Sequence, residues 1–148
     1  MSTHSAIGIL NEDGTISAVY CHNDGYPSGS KFAVGVLLQK HYHDEKKVLE
    51  LMQLGDLSAL GRDVNPAPAV EHTWDNPQEG VTIAYHRDRG DELRPASTFD
   101  SVADYVKHAE QLDAEFLYLY DPNYDSWSVY SVYGDKTWEI LDGACRES

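Results

Sequence analysis

The apolar positions of this chain open with two short runs, SAIGIL and TISAVYCH, on either side of Asn11-Glu12-Asp13-Gly14. Gly14 can take the left-handed backbone of a tight turn, so residues 5–22 read as a β-hairpin. A loop dense in turn residues, Asn23 to Ser30, follows, and a helix is expected from near Lys31. Val34, Leu37, Leu38 and His41 recur there at i, i+3, i+4 and i+7. A second helix is expected from about Asp44, with Val48, Leu51 and Met52 on one face. Asp44 and Glu45 lie in its favourable first turn, and Gly55 is its stop. From Asp56 to Gly80 the chain is polar and broken by Gly61, Pro66, Pro68 and Pro77, which predicts a long loop of the functional or mobile kind.

VTIAYH at 81–86 reads as a strand, and the charged segment Arg87 to Arg94 as a loop. Ser97 or Thr98 is the expected N-cap of a helix carrying Phe99, Val102, Val106 and Ala109 to about Leu112. FLYLYD and SWSVYSVY form a second hairpin across Pro122-Asn123, and TWEIL adds a short last strand. In FLYLY the aromatics share one face and Leu117 and Leu119 the other, so both faces need cover and the strand is central. The order β-β-α-α-β-α-β-β predicts an α+β fold, a mostly antiparallel sheet with helices packed on one face. No repeat or low-complexity tract appears, and the tail after Leu141 is expected to fray.

A chain of 148 residues fits one domain, 1–148, with a single core. Cys21 and Cys145 lack the dense spacing of a disulfide scaffold, which points to a reducing compartment. The start has no basic segment before an apolar run, and no window approaches the length of a membrane helix. Neither a signal peptide nor a membrane span is expected. The formal charge of -14 changes the picture more. It disfavours direct binding to nucleic acid and to anionic lipid, and suits a basic partner or a nucleic-acid mimic. Because the acids are dispersed, a solvated acidic surface is the plainer reading.

The densest polar stretch is Tyr20-Cys21-His22-Asn23-Asp24-Gly25-Tyr26-Pro27, which holds a thiol, an imidazole and a carboxylate. Neighbours on a strand point to opposite faces, so Cys21 and His22 do not form a nucleophile and base directly. A buried core thiol is the plainer reading. His41-Tyr42-His43-Asp44 lacks the spacing of a metal half-site, and nothing in the sequence implies a cofactor. Arg87-Asp88-Arg89 offers guanidinium forks to a phosphate or carboxylate, or pairs internally and stiffens its own loop. Half of all Phe, Tyr and Trp residues lie between Phe116 and Trp138, as core or as a binding platform.

The texts IGILNEDGTISAVYCHNDGYPSG, LLQKHYHDEKKVLELMQLGDLSALG and TIAYHRDRGDE occur in this order. Together they resemble small proteins of tailed bacteriophages and prophages that share a YCH-x-DGYP hairpin end, an HY helix end, a GDLS-x-LG stretch and an RDRG segment. The likeness covers about residues 6 to 92. Ser28 to Gly35 looks longer here than that family's link from DGYP into its helix. The resemblance implies a phage context in the host cytoplasm and no mechanism. It selects Tyr20, His22, Asp24, Tyr26, His41, Tyr42, Arg87, Asp88 and Arg89 as candidate ligand-binding residues. The expectation is a non-catalytic accessory protein that binds a host protein or a small anionic host-derived ligand, in host takeover or counter-defence. The alternatives are a small enzyme with Cys21, His22, Asp24 and the arginine loop around one pocket, and an acidic nucleic-acid mimic.

Overall fold

The computed structural model describes residues 3–141. Strands β1 (Ser5–Leu10) and β2 (Ile16–Cys21) form the expected hairpin, with Ser5 opposite Cys21 and Leu10 opposite Ile16. Gly14 closes it at φ 87°. Helix α1 (Val34–His41) starts at Val34 rather than near Lys31. The Asp24 and Tyr26 carbonyls take the first N–H groups of the helix, from Val34 and Gly35, while the intervening residues loop outward. In helix α2 (Glu45–Gln53) the Asp44 side chain caps the Lys46 N–H, and Gly55 ends the helix in the left-handed region, as its sequence predicts.

Strand β3 (Leu57–Ala59) lies inside the expected long loop. Strand β4 (Ile83–Ala84) is far shorter than predicted, because helix α3 (Tyr85–Arg89) replaces both the end of the strand and the start of the charged loop. The Asp88 carboxylate accepts the Ala84 N–H at 2.8 Å, which turns the chain into a helical turn, and left-handed Gly90 closes that turn. Ser97 to Phe99 is strand β5 instead of a helix start. The cap of helix α4 (Val102–Lys107) is Ser101, which accepts the Asp104 N–H. Strands β6 (Phe116–Asp121), β7 (Ser126–Ser131) and β8 (Trp138–Ile140) complete the sheet.

The strand order is β4-β3-β2-β1-β6-β7-β8, with β5 also paired to β2. Most pairs are antiparallel, but β1 runs parallel to β6 and β2 parallel to β3, so the sheet is mixed. Helices α1 and α2 pack on one face, where Val34, Leu38, Val48 and Leu51 meet Ile7, Ile9, Val19, Tyr118 and Tyr120. On the opposite face Tyr105 and Ala109, from α4 and the turn after it, meet Ala6, Ile16, Ala18 and Leu117. Helix packing on one face, the sequence expectation, is thereby corrected. The leucine side of the central strand β6 is as apolar as its aromatic side and needs its own cover. Each large side chain buried this way contributes about 1.5–3 kcal/mol. The tail beyond Leu141, expected to fray, and Cys145 lie outside the described residues.

Candidate functional site

The residues selected from the sequence do not meet around one cavity. Tyr20 and His22 face the N-terminal edge: the Tyr20 hydroxyl contacts His22 Nδ1 at 2.8 Å, and His22 stacks on His4 with centroids 4.4 Å apart. Cys21, between them, points into the core on the α1/α2 side. Its Sγ donates to the Asn23 carbonyl, and burial pushes its thiol up to about 12, so it is held protonated. Asp24 sits in the left-handed region at φ 57°, and its carboxylate accepts the Tyr26 hydroxyl. Around it, the Gly25 N–H donates to Thr3 and the Gly25 carbonyl accepts the Tyr118 hydroxyl. The DGYP segment is therefore a junction that ties the strand end, the N-terminus and the start of α1 together.

Arg87, Asp88 and Arg89 form a clasp on the long loop. Asp88 is buried and takes Arg87 Nε at 2.8 Å and Nη2 at 2.9 Å. Arg87 also donates to the carbonyls of Val64 and Thr82. His72 Nε2 lies 3.4 Å from Asp88 Oδ2, with both side chains almost fully enclosed. The Gln78 N–H donates to His72 Nδ1, which places the imidazole proton on Nε2, facing the Thr82 carbonyl. Arg89 lies over the rings of Trp74 and Tyr85 and pairs with Asp91. The guanidinium fork of Arg87 is thus filled by protein acceptors, and the internal-pairing alternative describes it.

Two concavities are lined by residues selected from the sequence. One of about 490 Å³ is lined by Tyr20, Asp56, Tyr85, His86, Asp91, Glu92 and Arg94. Its carboxylates outnumber its arginine. Half-burial pushes the Asp56 carboxyl up, although it accepts the Tyr20 N–H. Burial, then the charge of Asp113, pushes the Tyr20 phenol up to about 12. The other, a groove of about 500 Å³, runs between α1 and the 59–62 and 77–83 segments. Val36, Leu37, Leu60, Val81 and Ile83 give it an apolar floor, and Lys31, Lys40, His41 and Arg62 stand along it with Asp24 and Glu79. Phe32 is 60% exposed at its rim.

The walls of this groove are stitched from beneath. Tyr42 is fully buried, and its hydroxyl donates to the Gly61 carbonyl at 2.6 Å while Trp127 Nε1 donates to the Tyr42 carbonyl. Lys47 Nζ lies 4.3 Å from the centre of the Tyr42 ring and donates to the carbonyls of both His41 and Arg62. The two residues whose side chains line opposite walls are thus held by one ammonium. Gly61 must be glycine, because a Cβ there would meet the Gly80 and Val81 backbone at 2.6 Å.

Of the residues selected from the sequence, Asp24 and His41 line the groove. Tyr42 positions it, and Tyr20 lines the other concavity. Lys31, Phe32, Lys40 and Arg62 were not selected. The available signal was positional: five of the eleven Lys and Arg residues fall between Lys31 and Arg62 in an otherwise acidic chain. Among the described residues no group of three or more His, Cys, Asp or Glu is arranged to hold a metal ion, and no helix is long and apolar enough to cross a membrane. No protein-family model, curated protein or solved structure matches the chain.

Proposed function

We propose that this chain is a phage accessory protein that works by binding, and that it holds a small anionic host-derived ligand in the groove beside α1. The observation that carries the proposal is the concentration of Lys31, Lys40, His41 and Arg62 along an apolar floor in a molecule of charge -14. Pockets of this size, largely apolar with a few convergent polar groups, are the usual form of a small-ligand site. The groups of the alternative enzyme reading lie apart: Cys21 is enclosed, His22 stacks on His4 at the N-terminal edge, and Arg87 is occupied by Asp88. The phage context and the host cytoplasm come from the sequence resemblance alone.

The test is a thermal-shift titration of the full chain with the small-molecule fraction of a host lysate, beside a pull-down of host proteins. A rise in Tm that Arg62→Gln or Lys40→Gln removes supports the groove as the site. A partner protein retained equally by wild type and both variants would move the function to another surface. No shift and no partner would refute the proposal.

A further inference from the structure

We infer that the groove is built for a nucleotide-type ligand, a phosphate group carried on a flat ring. This rests on the binding function proposed above and names its ligand class. With Asp63, which pairs with Arg62, counted against them and Lys47 beneath counted with them, Lys31, Lys40, Lys47 and Arg62 outnumber Asp24, Asp63 and Glu79, so the groove is locally cationic. The screening length is about 10 Å at moderate ionic strength, so an anion inside responds to these groups before it responds to the distant acidic surface.

His41 reports the same field. Burial, followed by Lys47, Arg62 and Lys40, holds its imidazole below the ordinary histidine range. Arg62 is held ready: Asp63 takes its Nε at 3.1 Å. Its Nη2 lies over left-handed Gly80, where a Cβ would come within 2.7 Å of it. A guanidinium anchored at one nitrogen and steered by a bare glycine suits a phosphate oxygen better than a mobile lysine does.

The ring half of the ligand is argued from the floor. Val36, Leu37 and Leu60 are already buried, but inorganic phosphate alone would leave the half-buried Val81 and Ile83 facing water. A flat ring covers them and can rest on Phe32, whose other neighbour is the Lys31 ammonium, 5.2 Å from its centroid. An acidic peptide fits less well, because beside terminal β4 the Ala84 N–H is taken by Asp88 and the Thr82 carbonyl by Arg87, which leaves little strand edge to pair with. The Asp63 N–H bonds the Gly80 carbonyl and the Thr82 N–H bonds the Asp63 carbonyl. The stitching by Tyr42 and Lys47 fixes both walls before any ligand arrives, which lowers the ordering cost of binding.

Isothermal titration of the full chain with AMP, GMP, CMP and UMP tests the assignment, with adenosine and inorganic phosphate as the separated halves. At least one nucleotide is expected to bind, and each half to bind more weakly. Arg62→Gln should weaken the nucleotide by roughly tenfold to a hundredfold, the effect of losing one charged hydrogen bond, and leave adenosine unaffected. Phe32→Ala should weaken both. The His41 titration followed by NMR should move up on nucleotide binding. Circular dichroism and Tm of the free variants check folding, and both side chains are exposed enough for the fold to persist. If no nucleotide binds, the assignment falls. If host small molecules then still stabilise wild type and not Arg62→Gln, the groove remains a site for another anion; if they do not, both proposals fall together. A nucleotide that binds wild type and Arg62→Gln equally would also overturn the inference.

Discussion

Replacing Asp88 with alanine should cost about 3 kcal/mol of folding stability, and most of that loss should come from the loop between residues 61 and 82. The Asp88 side chain is 3% exposed. It accepts Arg87 Nε, Arg87 Nη2 and the Ala84 N–H, at 2.8, 2.9 and 2.8 Å. Removing one member of a buried ion pair costs about 3–5 kcal/mol. Arg87 keeps the Val64 and Thr82 carbonyls and a side chain 25% exposed, which brings the pair's share down to about 2 kcal/mol. The orphaned Ala84 N–H adds back about 1 kcal/mol. Urea denaturation followed by tryptophan fluorescence measures the total. With a slope of about 1–3 kcal/mol per molar, the midpoint should fall by roughly 1–3 M. Hydrogen exchange locates the loss, which should appear as reduced protection at Asp63, Trp74 and Thr82, whose amides bond within the loop or to α3. Asp88→Asn keeps one acceptor oxygen, enough for the Ala84 N–H and Arg87 Nη2 but not for Arg87 Nε, and should lose less. A variant within about 0.5 kcal/mol of wild type, the spread of ordinary surface substitutions, with unchanged exchange in the loop would refute the clasp and return Arg87 and Asp88 to the surface as ligand groups.

Three further outcomes are expected. Tyr42→Phe removes the buried bond to the Gly61 carbonyl and should destabilise by about 1–2 kcal/mol while weakening groove ligands, because Arg62 loses the support of its neighbour; equal stability and equal binding would show that the bond does not hold the wall. Gly35→Ala would drive a Cβ into the Pro27 backbone and should lower Tm by many degrees, measured by circular dichroism; a Tm within error of wild type would show that the 28–32 loop yields freely. His43 donates to Asp125 and to the Gln39 carbonyl. Burial opposes its protonation, but those two acceptors outweigh burial and raise its pKa. A raised histidine contributes stability that is complete below its unfolded value, about 6.5, and is lost as pH rises through the folded value. The stability gap between wild type and His43→Gln should therefore be larger at about pH 5.5 than at about pH 8.5, and a gap that widened with pH would contradict the assignment.

The parts of the fold written in contiguous residues were legible. Both hairpins carry their own turn residues, and the two-sided pattern of FLYLY marks β6 as central, with Phe116, Tyr118 and Tyr120 on one core and Leu117 in the other. The alternation on β2 likewise separates Cys21 from its neighbours. Strands β3 and β5 were not legible: each spans three residues and exists because β2 offers it an edge. Helix α3 was hidden because Asp88 acts on the backbone of Ala84, a contact that residue type alone does not announce. The groove escaped for a third reason. Its cations come from a link, a helix end and a loop, and their meeting depends on Tyr42, Lys47 and the approach of Gly61 to Gly80. Gly25, Tyr42 and Asp88, within the motifs the sequence singled out, hold the fold. Lys31 and Phe32 lie in the link between the DGYP segment and α1.

The parallel pairing of β1 with β6 bears on how the chain is made. His4 and Glu115, which bond at the start of that pair, are 111 residues apart. During synthesis the β1–β2 hairpin can form early, but the second edge of β1, running through Ala6, Ile7 and Ile9, stays open until Tyr120 has been translated. Closing so long a loop is slow, and an apolar strand edge left waiting is a template for pairing with another nascent chain. Yield should therefore fall as more chains are made at once, because each waiting β1 edge then meets others, and should rise when the expression level is lowered.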